Sequence, residues 1–414
     1  MDKKSEIWRG EWWLPCEENQ QPNKISGKLT CFTDDKPLLE LIFSSSNNIL
    51  HYMVFDRQPV VYGTSVNGEK YTIFHTFVRQ ISNSSIVLSA EYFITGAHIK
   101  SLDEKCFYKA LVEYPNLKQW VFYNRVLKEE TDDSLTLKIP YHQIPETLSV
   151  EVEDNITWHL RSQLWMSGGE DDLHIMQDTD FGIYFNRKVS LKQILQSMSE
   201  FSQFLSVALL SRQAPTYAYL WTDDSPETEI KLLFKQGKNA SWQYIYKLIR
   251  YDLLWEKIPD ILKKWHAEFG QIQPICSYLI KSLDSKSEFD APDFLIIAQA
   301  LDGYFKRFVN KKDGRDIQKY KQQIIELLKH FEQVDTIKKC DISPDVIADT
   351  RNKYSHLAPD DDQKTPAAVT DMKELQLLTT KAKILLICCI LEHIGLSIEE
   401  INKCINESDI NYWI

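Results

Sequence analysis

Val60-Val61-Tyr62-Gly63-Thr64-Ser65-Val66-Asn67-Gly68-Glu69-Lys70-Tyr71-Thr72-Ile73-Phe74 sets the character of the first half of the chain. Two runs of β-branched and aromatic residues flank a polar turn. Asn-Gly is the dipeptide that most readily takes the left-handed backbone of a tight hairpin turn. Outward from this hairpin, Ile86-Val87-Leu88, Glu91-Tyr92-Phe93-Ile94, Trp158-His159-Leu160 and Gly182-Ile183-Tyr184-Phe185 read as further short strands, and Lys118 to Lys128 alternates weakly around Trp120, Phe122 and Val126. Short strands with turns between them predict a β-rich sandwich or barrel-like module over residues 1–188.

The period changes at Ser190. Leu191, Ile194, Leu195, Met198, Phe201, Leu205 and Leu209 recur at three and four residues, as on one helix face. A short strand is expected at Ile230 to Phe234. Helix is expected over Trp242 to Leu254 and over Ile258 to Leu283, the latter broken at Pro274, so 189–285 forms a mainly helical connecting region. The polar stretch Ser285 to Pro292 marks a boundary. Beyond it, over 286–414, Asp290 and Pro292 open a helix running to about Val309, and Asn310 to Gly314 breaks it. A second helix covers Arg315 to Val334, Ser343-Pro344 opens a third, and Pro359 to Pro366 is a loop. Long and short helices then follow from Thr370 and Ser397. The predicted class is α+β and multidomain, with a β-rich N-terminal module and an all-α C-terminal bundle of four or five helices.

Composition narrows the function. The 414 residues suit two or three domains, and 43% hydrophobic with 26% charged residues describes a globular chain. A net charge of −11 excludes a generally basic nucleic-acid coat but leaves room for a local basic groove. The longest apolar run, Ile384 to Leu391, is too short to span a bilayer, and MDKKSEIWRGEWW lacks the apolar core of a secretory signal. The eight cysteines form no CxxC pair, so reduced thiols in the cytoplasm are expected. P-loop, GxSxG and HExxH signatures are absent. Cys389 and His393 stand four apart without nearby further ligands, and Gly168-Gly169-Glu-Asp-Asp is an acidic turn; both read as structural, and no metal or cofactor is expected.

One segment carries chemistry: Arg351-Asn352-Lys353-Tyr354-Ser355-His356 in the third helix of the bundle. With about 100° per residue and Arg351 at the origin, Ser355, Asn352 and His356 fall at about 40°, 100° and 140°, with Ala348 and Asp349 at about 60° and 160°. Val346, Leu357, Thr350, Tyr354 and Ile347 occupy the opposite, buried arc. Arginine, serine, asparagine and histidine thus share one polar face. The set suits metal-free RNA cleavage: histidine titrates in the range for moving a 2′-hydroxyl proton, and a guanidinium fork can offset charge building on phosphoryl oxygens. Asn352 can bond phosphate or orient His356. A second histidine for the leaving 5′-oxygen would come from a twofold-related copy. Spacing alone has little weight, since ten His and eleven Arg produce about one such match by chance. A solvated helix face bearing Arg and His is the competing reading.

Arg351-Asn-x-x-x-His356 resembles the R-x4-6-H signature of HEPN-domain ribonucleases, which often carry a polar residue after the arginine. Gly10-Glu-Trp12-Trp13-Leu-Pro15, Ile25-Ser-Gly27-Lys-Leu29-Thr and Gly63…Asn67-Gly68-Glu-Lys-Tyr-Thr-Ile73 resemble the opening of the ApeA-type N-terminal domain, which precedes a HEPN domain in bacterial anti-phage proteins. The resemblance implies a homodimeric, metal-independent endoribonuclease of abortive infection, cutting host RNA, with tRNA as the expected substrate, after a phage-derived trigger. Arg351 and His356 carry over as catalytic residues and Asn352 as the polar position. Ala300-Leu301-Asp302 stands where relatives often place an acidic residue in an Ala-Leu-Glu-like setting, which makes Asp302 a shorter-armed candidate. Residues 299–330 hold eight basic against four acidic side chains, a local excess of +4. From these, Arg307 and Lys311, together with Lys353, are the candidate RNA-backbone contacts. The alternative is a non-catalytic HEPN-like dimerisation or RNA-binding bundle attached to a ligand-sensing β domain.

Overall fold

A computed structural model describes the chain except residues 1–4, 17–19, 33–34, 44–56, 122–126, 132–133, 139–146, 169–172, 224–229, 235–245, 285–290, 311–315, 358–363, 409, 411–412 and 414. The chain divides into two compact units, one of residues 1–119, 145–199 and 214–242, the other of 120–144, 200–213 and 243–414.

The first unit is a β-barrel with an attached sheet. Strands β1 (Ser5–Trp13), β2 (Ile25–Phe32), β3 (Leu38–Ile42), β4 (Arg57–Ser65), β5 (Lys70–Ile81) and β6 (Ser85–Ser89) close in the order β5-β4-β1-β2-β3-β6-β5, each pair antiparallel. The Asn67-Gly68 hairpin forms as expected: Val61 pairs with Ile73 and Tyr62 with Thr72, and Gly68 has φ +82°. Inward residues of alternating register, among them Trp12, Ile25, Leu29, Leu39, Val61, Tyr71, Ile73 and Leu88, fill the barrel.

The glycines near the N-terminus explain their own spacing. Gly63 faces Trp12 across β1 and β4, and a Cβ there would sit 2.1 Å from Trp12 Cε3. Gly10 pairs with Gly27, and a Cβ on Gly10 would meet the Thr64 carbonyl oxygen at 2.1 Å. A fully buried indole in a narrow barrel therefore needs a partner without a side chain.

From β5 the sheet continues outward through β7 (Tyr92–Thr95), β15 (Ile230–Phe234), β14 (Tyr217–Trp221), β8 (Lys105–Glu113), β13 (Leu173–Ser190), β12 (Ile156–Gly168) and β11 (Thr147–Glu153). The late strands β14 and β15 thus slot between β8 and β7, which are earlier in sequence. Where alternation around Trp120 suggested a strand, helix α1 (Leu117–Val121) forms instead. Leu117, Trp120 and Val121 are all buried, and their three- and four-residue spacing suits a helical turn. Phe122 and Val126 lie outside the described residues.

In the second unit, β9 (Leu127–Thr131) and β10 (Ser134–Lys138) make a two-stranded ribbon. The remaining elements are helical. The expected helix from Ser190 is α2 (Leu191–Ala208), which starts in the first unit and ends in the second. Over Trp242 to Leu254 only α3 (Tyr251–Leu254) is helical among the described residues, where Trp120 Nε1 donates to the Ile249 carbonyl at 2.7 Å. Next, α4 (Ile258–Asp284) runs unbroken through Pro274. Burial of Ile272, Ile275, Cys276 and Leu279 on both sides of the proline outweighs its local cost of about 3 kcal/mol.

The C-terminal helices follow the expected order with finer divisions. Helix α5 (Ala291–Tyr304) continues as a π-helical turn, Phe305–Val309. Asp290, its expected cap, lies outside the described residues. Then come α6 (Tyr320–His330) and a short α7 (Asp335–Cys340) that periodicity merged with it. They are followed by α8 (Pro344–His356), α9 (Met372–His393) and α10 (Ile398–Asn406), the last opened by a Ser397–Glu400 capping box. The apolar run Ile384 to Leu391 lies in α9, where every residue from Ala382 to Leu391 is buried, so this helix is the axis of the bundle. No described helix is long and apolar enough to cross a membrane. Lys383 on α9 pairs with Asp293 on α5 at 3.0 Å and donates to the Ser282 carbonyl of α4 at 3.3 Å, locking three helices by one buried charge.

Candidate functional site

Helix α8 is held at both ends and along one side. Ser343 caps it by accepting from Val346 N at 3.4 Å, and Pro344 supplies a first turn that needs no N–H partner. Leu357, with φ +50°, ends it in the left-handed conformation. Residues 367–369 are clipped back onto it. Asp349 accepts from Ala367 N at 3.1 Å, Thr350 accepts from Val369 N at 3.0 Å, and Tyr354 donates to the Val369 carbonyl at 3.2 Å. These bonds fix how the helix is rotated about its own axis.

That rotation presents Arg351, Asn352, Ser355 and His356 on the open side, as the sequence predicted. Ile347 and Thr350 are buried opposite, and Ala348 is buried as well. Leu357, expected to be buried, is 88% exposed, because the chain leaves the helix one residue earlier. Lys353 is corrected: it is only 6% exposed, so it is not placed to contact an RNA backbone. At about 200° from Arg351 it turns toward the bundle rather than along the polar arc.

Arg351 is half-buried. Its Nη1 donates to Asn352 Oδ1 at 3.1 Å, and its guanidinium carbon lies 5.6 Å from the ring centroid of Tyr320, the first residue of α6. Tyr320 is buried, and its hydroxyl has no hydrogen-bond partner among the described residues. Burial drives the phenol well above its ordinary pKa. The nearby Asp302 carboxylate pushes it further up, and the Arg351 guanidinium pulls it down. Asp302, on α5, accepts from Lys306 Nζ at 2.8 Å. Three helices therefore bring Asp302, Tyr320, Arg351 and Asn352 to one neighbourhood, and His356 stands exposed in the last turn of α8. The guanidinium is oriented by an amide on one side and a ring face below, which presets it for a planar oxyanion.

The basic stretch is only partly in view. Arg307 is exposed, and its Nη1 donates to the Gln271 carbonyl on α4 at 2.8 Å. Lys311 lies outside the described residues. Tyr320 was not singled out from the sequence. An aromatic at the start of a helix after a basic loop carries no spacing signal, and only the packing of α6 against α8 exposes its role. Among the described residues no group of three or more His, Cys, Asp or Glu side chains is arranged to hold a metal ion.

Two family descriptions match the chain. Residues 295–400, which contain Asp302, Tyr320, Arg351 and His356, match the family described as Apea-like HEPN. The bundle is thus a HEPN domain, a class that generally has ribonuclease activity and commonly dimerises and binds RNA. Residues 7–265, from the barrel to the first turns of α4, match ApeA N-terminal domain 1. The chain belongs to the ApeA family, whose pairing of domains marks anti-phage HEPN nucleases. No curated protein and no solved structure matches it.

Proposed function

We propose that this protein is a metal-independent endoribonuclease of abortive anti-phage defence, and that Arg351 and His356 of two mated copies form its active site. The observation that carries the reading is the seating of Arg351 between Asn352 and the ring of Tyr320, a tyrosine that also feels the Asp302 carboxylate, with His356 exposed on the same helix. His356 of one copy takes the proton of a ribose 2′-hydroxyl. The O2′–P bond forms as the P–O5′ bond breaks, and the equivalent histidine of the second copy delivers a proton to the leaving O5′. Arg351 offsets the charge that builds on the non-bridging oxygens. The products are a 2′,3′-cyclic phosphate and a 5′-hydroxyl. Arg307 and the neighbouring basic residues track the RNA backbone, host tRNA is the substrate class, and a phage-derived trigger in the cytoplasm releases the activity.

The test is cleavage of total host RNA by the full-length protein in the presence of a divalent-metal chelator. Cleavage should persist with chelator, leave a cyclic phosphate, and fall by about 10²–10⁴-fold in His356→Ala. Because His356 is exposed, the variant keeps its fold. Wild-type cleavage by the His356→Ala protein would favour the second reading, a non-catalytic dimerisation or RNA-binding bundle. That reading draws on the commitment of Arg351 to Asn352 and Tyr320, contacts a purely structural arginine would also make.

A further inference from the structure

Within the helical unit, α4, α5 with its π turn, α6 and α9 enclose a cavity of about 510 Å³, within the range of small-molecule sites. Its mouth is marked by the ion-paired side chains of His330 and Glu392, 53% and 36% exposed. Its depth is formed by Tyr304, Phe305 and Leu327, none more than 3% exposed. The space is graded from a buried floor to a mouth partly open to solvent.

The lining has a consistent chemistry. Glu268, Glu326 and Glu392 bring three carboxylates to the lining, against Lys264 and the His330 imidazole that pairs with Glu392. His393, whose side chain is 9% exposed, lies with its Nε2 2.7 Å from Glu268 Oε2. Burial holds this imidazole below its ordinary pKa, against the upward pull of Glu268 and Glu392, so it adds little positive charge at neutral pH. Beside the carboxylates stands an aromatic wall. Phe308 lies 4.1 Å from the His393 ring and 5.2 Å from Tyr304, centroid to centroid.

The backbone is unusual at the same place. The π turn Phe305–Val309 replaces the ordinary ladder with a wider one and contributes Phe305, Phe308 and Val309 to the lining. Such turns are costly, and they concentrate at functional sites.

We propose that this cavity is a binding site for a small organic cation, an alkylammonium or guanidinium group carried on an apolar body. An anion would meet three carboxylates. A neutral apolar ligand would strip water from them without replacing its hydrogen bonds. A cation gains both the carboxylates and the quadrupoles of the ring faces. The site is distinct from Arg351 and His356, and it stands whether or not the bundle cuts RNA.

The experiment is calorimetric titration of the full-length protein with spermidine and with agmatine, using 1,6-hexanediol as the uncharged control. One amine should bind per chain, with heat that weakens as salt rises, and hexanediol should not bind. Glu268→Gln and Glu392→Gln, close to isosteric, should each weaken binding about 10-fold or more. Phe308→Leu, which keeps apolar bulk but removes the ring face, should weaken it about 2–5-fold. His356→Ala should bind as wild type does. Failure of both amines to bind at millimolar concentration overturns the proposal. So does equal binding of hexanediol, or binding that both glutamine variants and Phe308→Leu leave unchanged.

Discussion

The guanidinium of Arg351 lies over the ring of Tyr320, 5.6 Å from its centroid, and the buried hydroxyl of that tyrosine has no hydrogen-bond partner among the described residues. A phenol supplies a ring face that phenylalanine supplies equally well, so the ring and the hydroxyl can be separated by substitution. Tyr320→Phe should leave folding stability unchanged or raise it by up to about 1 kcal/mol, because an unpaired buried donor is lost. It should also leave RNA cleavage intact. Tyr320→Leu removes the ring and with it about 0.5–2 kcal/mol of cation–π attraction, so cleavage should fall about 2–30-fold while the protein stays folded. Cleavage by Tyr320→Leu at the wild-type rate would show that Arg351 does not depend on this seat. Loss in Tyr320→Phe would give the hydroxyl a part in the reaction.

In the barrel, Gly63 sits against the Trp12 ring so closely that a methyl group would overlap Cε3. Gly63→Ala should destabilise the N-terminal unit by about 1–3 kcal/mol, the usual cost of overpacking a filled interior. Chemical denaturation followed by tryptophan fluorescence reads this directly. A midpoint equal to wild type would mean that the strands part easily here.

Lys383 and Asp293 form an ion pair whose side chains are 8% and 4% exposed. Lys383→Met leaves a carboxylate buried without its cation and should cost about 3–5 kcal/mol. Adding Asp293→Leu should recover most of that loss, because two apolar groups carry no desolvation debt. A single variant as stable as the parent, measured by urea denaturation, would contradict the pairing.

His393 gives a pH dependence with a definite sign. Its folded-state pKa is lowered by burial, with Lys264 adding to the effect and Glu268 and Glu392 opposing it; Tyr304 and Phe308 supply its apolar surroundings. Above the ordinary histidine value of about 6.5 the imidazole is neutral in both states, and its contribution is fully present. As pH falls below that value the unfolded chain takes up a proton first, so stability drops until the folded value is passed. Relative to His393→Gln, the wild type should therefore lose stability as pH falls from about 7 through the ordinary histidine value of about 6.5. Parallel stability curves for the two proteins over that range would remove the effect.

Much of the fold is legible because local rules and tertiary demands agree. Asn67-Gly68 makes its hairpin, Ser343-Pro344 opens α8, and Ser397 opens α10, each by a bond or dihedral that a few neighbouring residues can satisfy. Gly10, Trp12, Gly27 and Gly63 stood out as a motif, and the barrel supplies the reason: a large ring and close backbones are accommodated by missing side chains. Local pattern failed where burial overrode it. Alternation around Trp120 gave way to α1, Pro274 did not stop α4, and the π turn hid inside an ordinary helical period. The insertion of β14 and β15 between β8 and β7 depends on pairings between residues more than a hundred apart, which no window of sequence contains.

The same division runs through the site. From its own sequence the chain determined that Arg351, Asn352 and His356 share one face of a capped helix, since a period of 3.6 residues leaves no other choice. Only the tertiary structure decided that Tyr320 lies under the guanidinium with Asp302 near that tyrosine, and that Lys353, one residue beyond Asn352, turns inward. A helix sets the order of side chains around its own axis. Which of them meet a neighbour is set by its rotation against α5 and α6, a product of packing contributed by the whole bundle.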